Sequence, residues 1–94
     1  MSLNRYAQRR DGNERDIVSA LQQLGAEVYR MGKPCDLLVR WRGQLHLLEV
    51  DNPASKYRKR DDNQLVFLTK WEVALVRTPE EAFRAIGASH HIGA

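Results

Sequence analysis

Asp36 and Glu49 are the two residues whose types and spacing best suit joint chemistry. Between them lie two apolar-rich stretches, Asp36 to Trp41 and Gln44 to Val50, separated by Arg42-Gly43. With Arg42-Gly43 as a two-residue hairpin turn, Trp41 opposes Gln44, and counting back sets Asp36 opposite Glu49. Directly opposed residues point to the same face, with Cβ atoms about 4.5–5.5 Å apart. Two carboxylates that close repel unless a proton or a cation lies between them. Mg²⁺ or Mn²⁺ is the natural occupant, because hard divalent ions prefer oxygen ligands. Arginine is less usual than Asn or Asp at the first turn position, so a longer loop stays open. A four-residue loop keeps the register, whereas a three-residue loop disturbs it. Strand alternation puts Asp51 on the face of Glu49, so three acids are expected to converge. Acids at strand ends are also common, and Asp51-Asn52-Pro53 reads equally well as a turn.

Two basic clusters flank these acids. Arg5, Arg9 and Arg10 precede the first periodic segment, and Lys56, Arg58, Lys59 and Arg60 follow the central strand. Basic clusters meet phosphates while carboxylates hold a cation, a division of labour suited to nucleic acid. Two solvated loops would look the same. The formal net charge of +3 and the sequence pI of about 9.4 point weakly the same way.

The elements that must position these groups are legible in outline. Asn13 is a good N-cap for a helix carrying Ile17, Val18, Leu21 and Leu24, and Gly25 stops it. A short strand fits residues 26–31, broken by Gly32, Lys33 and Pro34. The hairpin follows, then a basic loop over 54–60. Asp61 or Asp62 caps a helix with Leu65, Phe67 and Leu68. Val73 to Arg77 reads as a strand. Thr78-Pro79-Glu80-Glu81 is a strong helix start, with Phe83 and Ile86 facing inward and Gly87 as the end. The order is α-β-β-β-α-β-α, which implies a mixed sheet covered on both faces by helices. Leu37, Val39 and Leu48 lie on one face; Leu38, Leu45 and Leu47 lie on the other.

The whole chain sets further bounds. Its 94 residues fit one domain with a core over about 11–87, an N-terminal arm and a tail. So small a core often gains stability by oligomerising. Hydrophobic content of 43% and charged content of 29% indicate a globular chain. No apolar run reaches membrane-span length and no signal peptide is visible, so a cytoplasmic location is expected. The single Cys35 excludes an internal disulfide and a cysteine-rich zinc site, and reads as a buried small side chain. Trp41 and Trp71 read as packing residues, His46 as a buried hydrogen-bonded residue, and His90 and His91 as part of the tail. Tyr57 could stack on a base, although a lone exposed aromatic is usually incidental.

Pro34-Cys35-Asp36 followed by Glu49-Val50-Asp51 resembles the PD-(D/E)XK nuclease signature: Asp, a hairpin, then Glu-X-Lys. More narrowly, the chain resembles the virus-type replication-repair nuclease (VRR-NUC) branch, in its phage-like stand-alone form. That resemblance rests on Asn13-Glu14 in the first helix, Gly25-Ala26, the Asp36-Leu37 step after Pro34, and Gln64 on the helix after the motif. It covers roughly residues 11–87.

The resemblance implies a restriction-endonuclease-like αβββαβ core. It implies a metal-dependent, structure-selective DNA endonuclease acting on branched DNA such as Holliday junctions, as a homodimer in a bacterial or phage-infected host cytoplasm. Asp36, Glu49 and the Val50 carbonyl would bind Mg²⁺ or Mn²⁺, Glu14 would reach the same site, and Gln64 would orient a ligand or water. Arg9, Arg10, Lys56, Arg58, Lys59 and Arg60 would meet DNA. One departure bears on catalysis: Asp51 stands where the family has lysine, and an ionised carboxylate donates no hydrogen bond. Lys56 or Lys59 could replace that lysine, Asp51 could become a further metal ligand, or the domain could bind DNA and cleave poorly.

Overall fold

The computed structural model describes residues 12–52 and 60–88. Helix α1 spans Gly12–Leu24 and buries Ile17, Val18 and Leu21 along one stripe. Gly25, at φ +107°, ends it, and the Ala26 N–H returns to the Leu21 carbonyl. Strands β1 (Glu27–Arg30), β2 (Leu37–Trp41) and β3 (Gln44–Val50) follow. Then come helix α2 (Asp62–Lys70), strand β4 (Ala74–Val76) and helix α3 (Pro79–Ala85). Asn13 is not the N-cap; it sits inside the first turn of α1. Asp61 caps α2 and Thr78 caps α3, with Pro79 entering the first turn.

The sheet runs in the order β1-β2-β3-β4, with β1–β2 and β2–β3 antiparallel and β3–β4 parallel. This small α/β domain therefore has a mixed sheet and three helices among its described residues, in the expected order. One face of the sheet forms the core. Leu37, Val39, Leu48, Val50 and Val76 meet Ile17, Val18 and Leu21 of α1 and Ala82 and Ile86 from α3 and its end. Phe83 and Trp41 pack against this cluster while partly buried.

The other face departs from expectation. Alternation assigns Tyr29, Leu38, Leu45, Leu47 and Leu75 to it, and a leucine-rich face would ordinarily be covered. Among the described residues it is covered only in part: Tyr29, Leu45 and Leu75 are all more than half exposed, while Leu38 and Leu47 are intermediate and Glu49 is buried. Helix α2 buries only Gln64 fully and leaves Leu65, Val66 and Trp71 exposed. Trp71 is thus not a core residue; its ring lies 6.0 Å from that of Phe67. His46 is half-buried, and its enclosed Nε2 finds no hydrogen-bond partner among the described residues. No helix among the described residues is long and apolar enough to cross a membrane.

Candidate metal centre

The turn that sets the register is the two-residue one. Arg42 and Gly43 have φ of +52° and +77°, which match the left-handed demands of a tight hairpin turn, and Trp41 pairs with Gln44. The Arg42 guanidinium lies 5.2 Å from the centre of the Trp41 ring, a cation–π contact that helps an arginine occupy this position. The ladder continues to Leu37 opposite Leu48, so the next pair is Asp36 and Glu49.

At that pair the backbone ladder gives way to side chains. The Asp36 N–H donates to Glu49 Oε1 at 3.1 Å, and the Val50 N–H donates to Asp36 Oδ2 at 2.7 Å. Each carboxylate thus grips the other strand's backbone, and such charge-assisted bonds fix orientation. The Met31 N–H donates to the Asp36 carbonyl at 2.8 Å, which holds the chain entering β2. Asp36 is 2% exposed and Glu49 is fully buried. Two buried acids at one point create a strong demand for positive charge.

Arg60 supplies that charge. Its Nε donates to Glu49 Oε2 at 2.6 Å, and its terminal nitrogen donates to the Val50 carbonyl at 3.4 Å. The same nitrogen lies 3.6 Å from Asp51 Oδ1. Arg60 reaches the site because the next residue, Asp61, caps α2. The Asp61 carboxylate accepts from the Gln64 N–H at 2.8 Å, and the Gln64 side-chain oxygen accepts from the Asp61 N–H at 3.1 Å. This capping box fixes the residue beside Arg60. It also holds the Asp61 carboxyl below its usual range, first through the Gln64 N–H and then through Lys33 at 3.4 Å.

The remaining site residues divide. Asp51 does not join the pair as a third converging acid. Its Oδ2 accepts from Arg77 Nε at 2.9 Å, its N–H donates to the Val76 carbonyl, and its carbonyl accepts from Asn13 Nδ2 at 2.9 Å. Asn13 Oδ1 is buried beside it without a partner among the described residues. Glu14 is engaged by Arg30 Nε at 2.8 Å. Arg30 pairs with Leu37 on the helix-covered side, whereas alternation gives Asp36 and Glu49 to the opposite side. Among the described residues no three His, Cys, Asp or Glu side chains gather as an ion site. Gln64 is buried, but the contacts of its oxygen and N–H are those of a helix cap.

Arg9, Arg10, Lys56, Tyr57, Arg58, Lys59, His90 and His91 lie outside the described residues, as does Arg5. Sequence reasoning missed Arg60 as a partner of Glu49, and also Arg77 and Arg30. For Arg60 the available signal was its place immediately before a capping aspartate.

Cys35 adjoins the pair and is fully buried. Burial first, then the charges of Glu49 and Asp36, push its thiol from an ordinary 9.0 up to about 11. It is a neutral packing residue and not a nucleophile, because the thiolate is the reactive form.

The donor set fits a hard divalent ion. Glu49 Oε2 and the Val50 carbonyl already converge on one cation, the Arg60 guanidinium, and Asp36 is locked against the same backbone. Two carboxylates and a carbonyl, with water completing the shell, suit Mg²⁺ or Mn²⁺. Comparison with protein-family models, with curated proteins and with solved structures finds no match to this chain.

Proposed function

We propose that this domain is a metal-dependent DNA endonuclease of the PD-(D/E)XK type, closest in pattern to the VRR-NUC branch and acting on branched DNA. The observation that carries this reading is the interlocked pair of Asp36 and Glu49, buried at the end of a hairpin with Glu49 Oε2 and the Val50 carbonyl directed at one cation. Asp36, Glu49 and the Val50 carbonyl would hold Mg²⁺ or Mn²⁺. When bound, such an ion supplies charge stabilisation at the scissile phosphate and a more acidic attacking water. The protein's part is to keep both carboxylates aimed, which the two backbone N–H donors do. Two copies related by a two-fold axis would supply the two sites that symmetric junction cleavage needs.

A second reading is a DNA-binding module that cleaves poorly. It is favoured by Asp51, which holds two arginines where the family motif has a lysine.

Incubation with junction, flap and linear DNA in Mg²⁺ and Mn²⁺ separates the two readings. The nuclease reading predicts ion-dependent nicking of junction DNA that Glu49→Gln abolishes. DNA binding without cleavage, unaltered by Glu49→Gln, contradicts it.

A further inference from the structure

We propose that Arg60 is a built-in counter-ion of the Asp36–Glu49 site, that a divalent ion must displace it, and that Asp51 retains the displaced guanidinium as a phosphate ligand in place of the motif lysine. This rests on reading the pair as a divalent-ion site. Arg60 occupies two of the donors such an ion would use, Glu49 Oε2 at 2.6 Å and the Val50 carbonyl at 3.4 Å. A guanidinium and a divalent ion cannot both sit against one buried carboxylate without strong, poorly screened repulsion. The two partners differ in their freedom to retreat. The Glu49 side chain is 1% exposed and bound to the Asp36 backbone, while that of Arg60 is 21% exposed. Arg60 is therefore the group that yields.

Asp51 gives it somewhere to go. Its carboxylate is 25% exposed, is already 3.6 Å from the same Arg60 nitrogen, and is steadied on its other oxygen by Arg77 at 2.9 Å. Losing the Glu49 contact leaves the Asp51 contact available, so the guanidinium stays at the rim of the site. There its planar fork of donors suits a phosphate. The aspartate at position 51 thus relocates the motif's positive charge: a lysine there would repel Arg60, whereas an aspartate recruits it.

Mn²⁺ titration followed by electron paramagnetic resonance, on the full chain at neutral pH, tests the exchange. Wild type is compared with Arg60→Gln, Arg60→Lys and Glu49→Gln, and the unfolding midpoint with and without Mn²⁺ checks each fold. Arg60→Gln is expected to bind Mn²⁺ roughly tenfold more tightly, because a competing cation is gone. Arg60→Lys, which keeps the charge but loses the fork, shows a smaller gain in the same direction. At saturating Mn²⁺, Arg60→Gln is expected to cleave junction DNA roughly 100-fold more slowly, having lost a phosphate donor. A purely structural role would not move ion affinity and cleavage in opposite directions.

Unchanged or weaker Mn²⁺ binding in both Arg60 variants, with binding lost in Glu49→Gln, overturns the counter-ion role and leaves the metal reading intact. Tighter binding with undiminished cleavage overturns the phosphate role. No Mn²⁺ binding by wild type or by either Arg60 variant overturns the metal reading and this inference with it.

Discussion

Glu49 and Asp51 stand two residues apart, on what alternation makes one face, and the fold uses them in opposite ways. Glu49 is fully buried, gripped by the Asp36 backbone through one oxygen and by Arg60 through the other. Asp51 is a quarter exposed and shared between Arg60 and Arg77. The same chemical group thus grips the opposite strand and one arginine in one place and is shared between two arginines in the other. The difference comes from burial. A buried carboxylate must have compensating charge. A part-exposed one gains little from its ion pairs, because water and salt screen them.

Substitution at the two positions should therefore give very different results. The largest effect is expected from Glu49→Gln. Under the proposed nuclease function, losing several kcal/mol of transition-state stabilisation is expected to slow junction cleavage by about 1,000-fold or more. Asp51→Asn keeps a polar group in place and lowers cleavage far less, by weakening the hold on Arg60. Equal losses at both positions, in single-turnover assays at saturating Mn²⁺, would erase the distinction.

Cys35 offers an internal reporter of the same contrast. Its thiol is raised to about 11 by burial, then by Glu49 and Asp36, and Asp51 does not contribute. The unfolded chain loses this proton near 9.0 and the folded chain only near 11. The stabilisation is thus fully present below about pH 9 and is lost as pH rises toward 11, a decline of about 2–3 kcal/mol in unfolding free energy. Urea denaturation across that window measures it. Glu49→Gln should lower the pH at which Cys35 ionises in the folded chain, followed by the ultraviolet absorbance of the thiolate, and Asp51→Asn should leave it in place.

Asp51→Ala is expected to cost about 1 kcal/mol or less of stability, since both its ion pairs are part-exposed, and the loss should shrink in high salt. Asp51→Lys is the sharper variant. If aspartate has merely replaced a useful lysine, cleavage rises. If Asp51 serves to hold Arg60, cleavage falls, because a lysine there repels both Arg60 and Arg77. The smallest effect belongs to the exposed pair of Glu27 and Arg40 at 2.6 Å, whose removal should change stability by less than about 0.5 kcal/mol.

The pairing of Asp36 with Glu49 was legible in the sequence because it is local. A two-residue turn at Arg42-Gly43 and strand alternation fix it by counting. The helix caps at Asp61 and Thr78 were legible for the same reason. What escaped depends on distant chain. Nothing local to Glu14 foretells Arg30, sixteen residues on, and Arg60 is marked only by its place before the capping Asp61, not by anything near Glu49. The expectation of a sheet covered on both faces took in Leu45, because alternation shows which side a residue faces, but not whether anything packs there. Leu45 is more than half exposed, as is Leu75 in strand β4.

The proposed nuclease requires that the Asp36–Glu49 pair receive a divalent ion. Crystals soaked in Mn²⁺ and measured at a wavelength where manganese scatters anomalously test it most directly. An anomalous peak bounded by Asp36, Glu49 and the Val50 carbonyl is expected, with Arg60 moved off Glu49 toward Asp51. No peak there, with the Arg60–Glu49 contact kept at its present 2.6 Å, would contradict it.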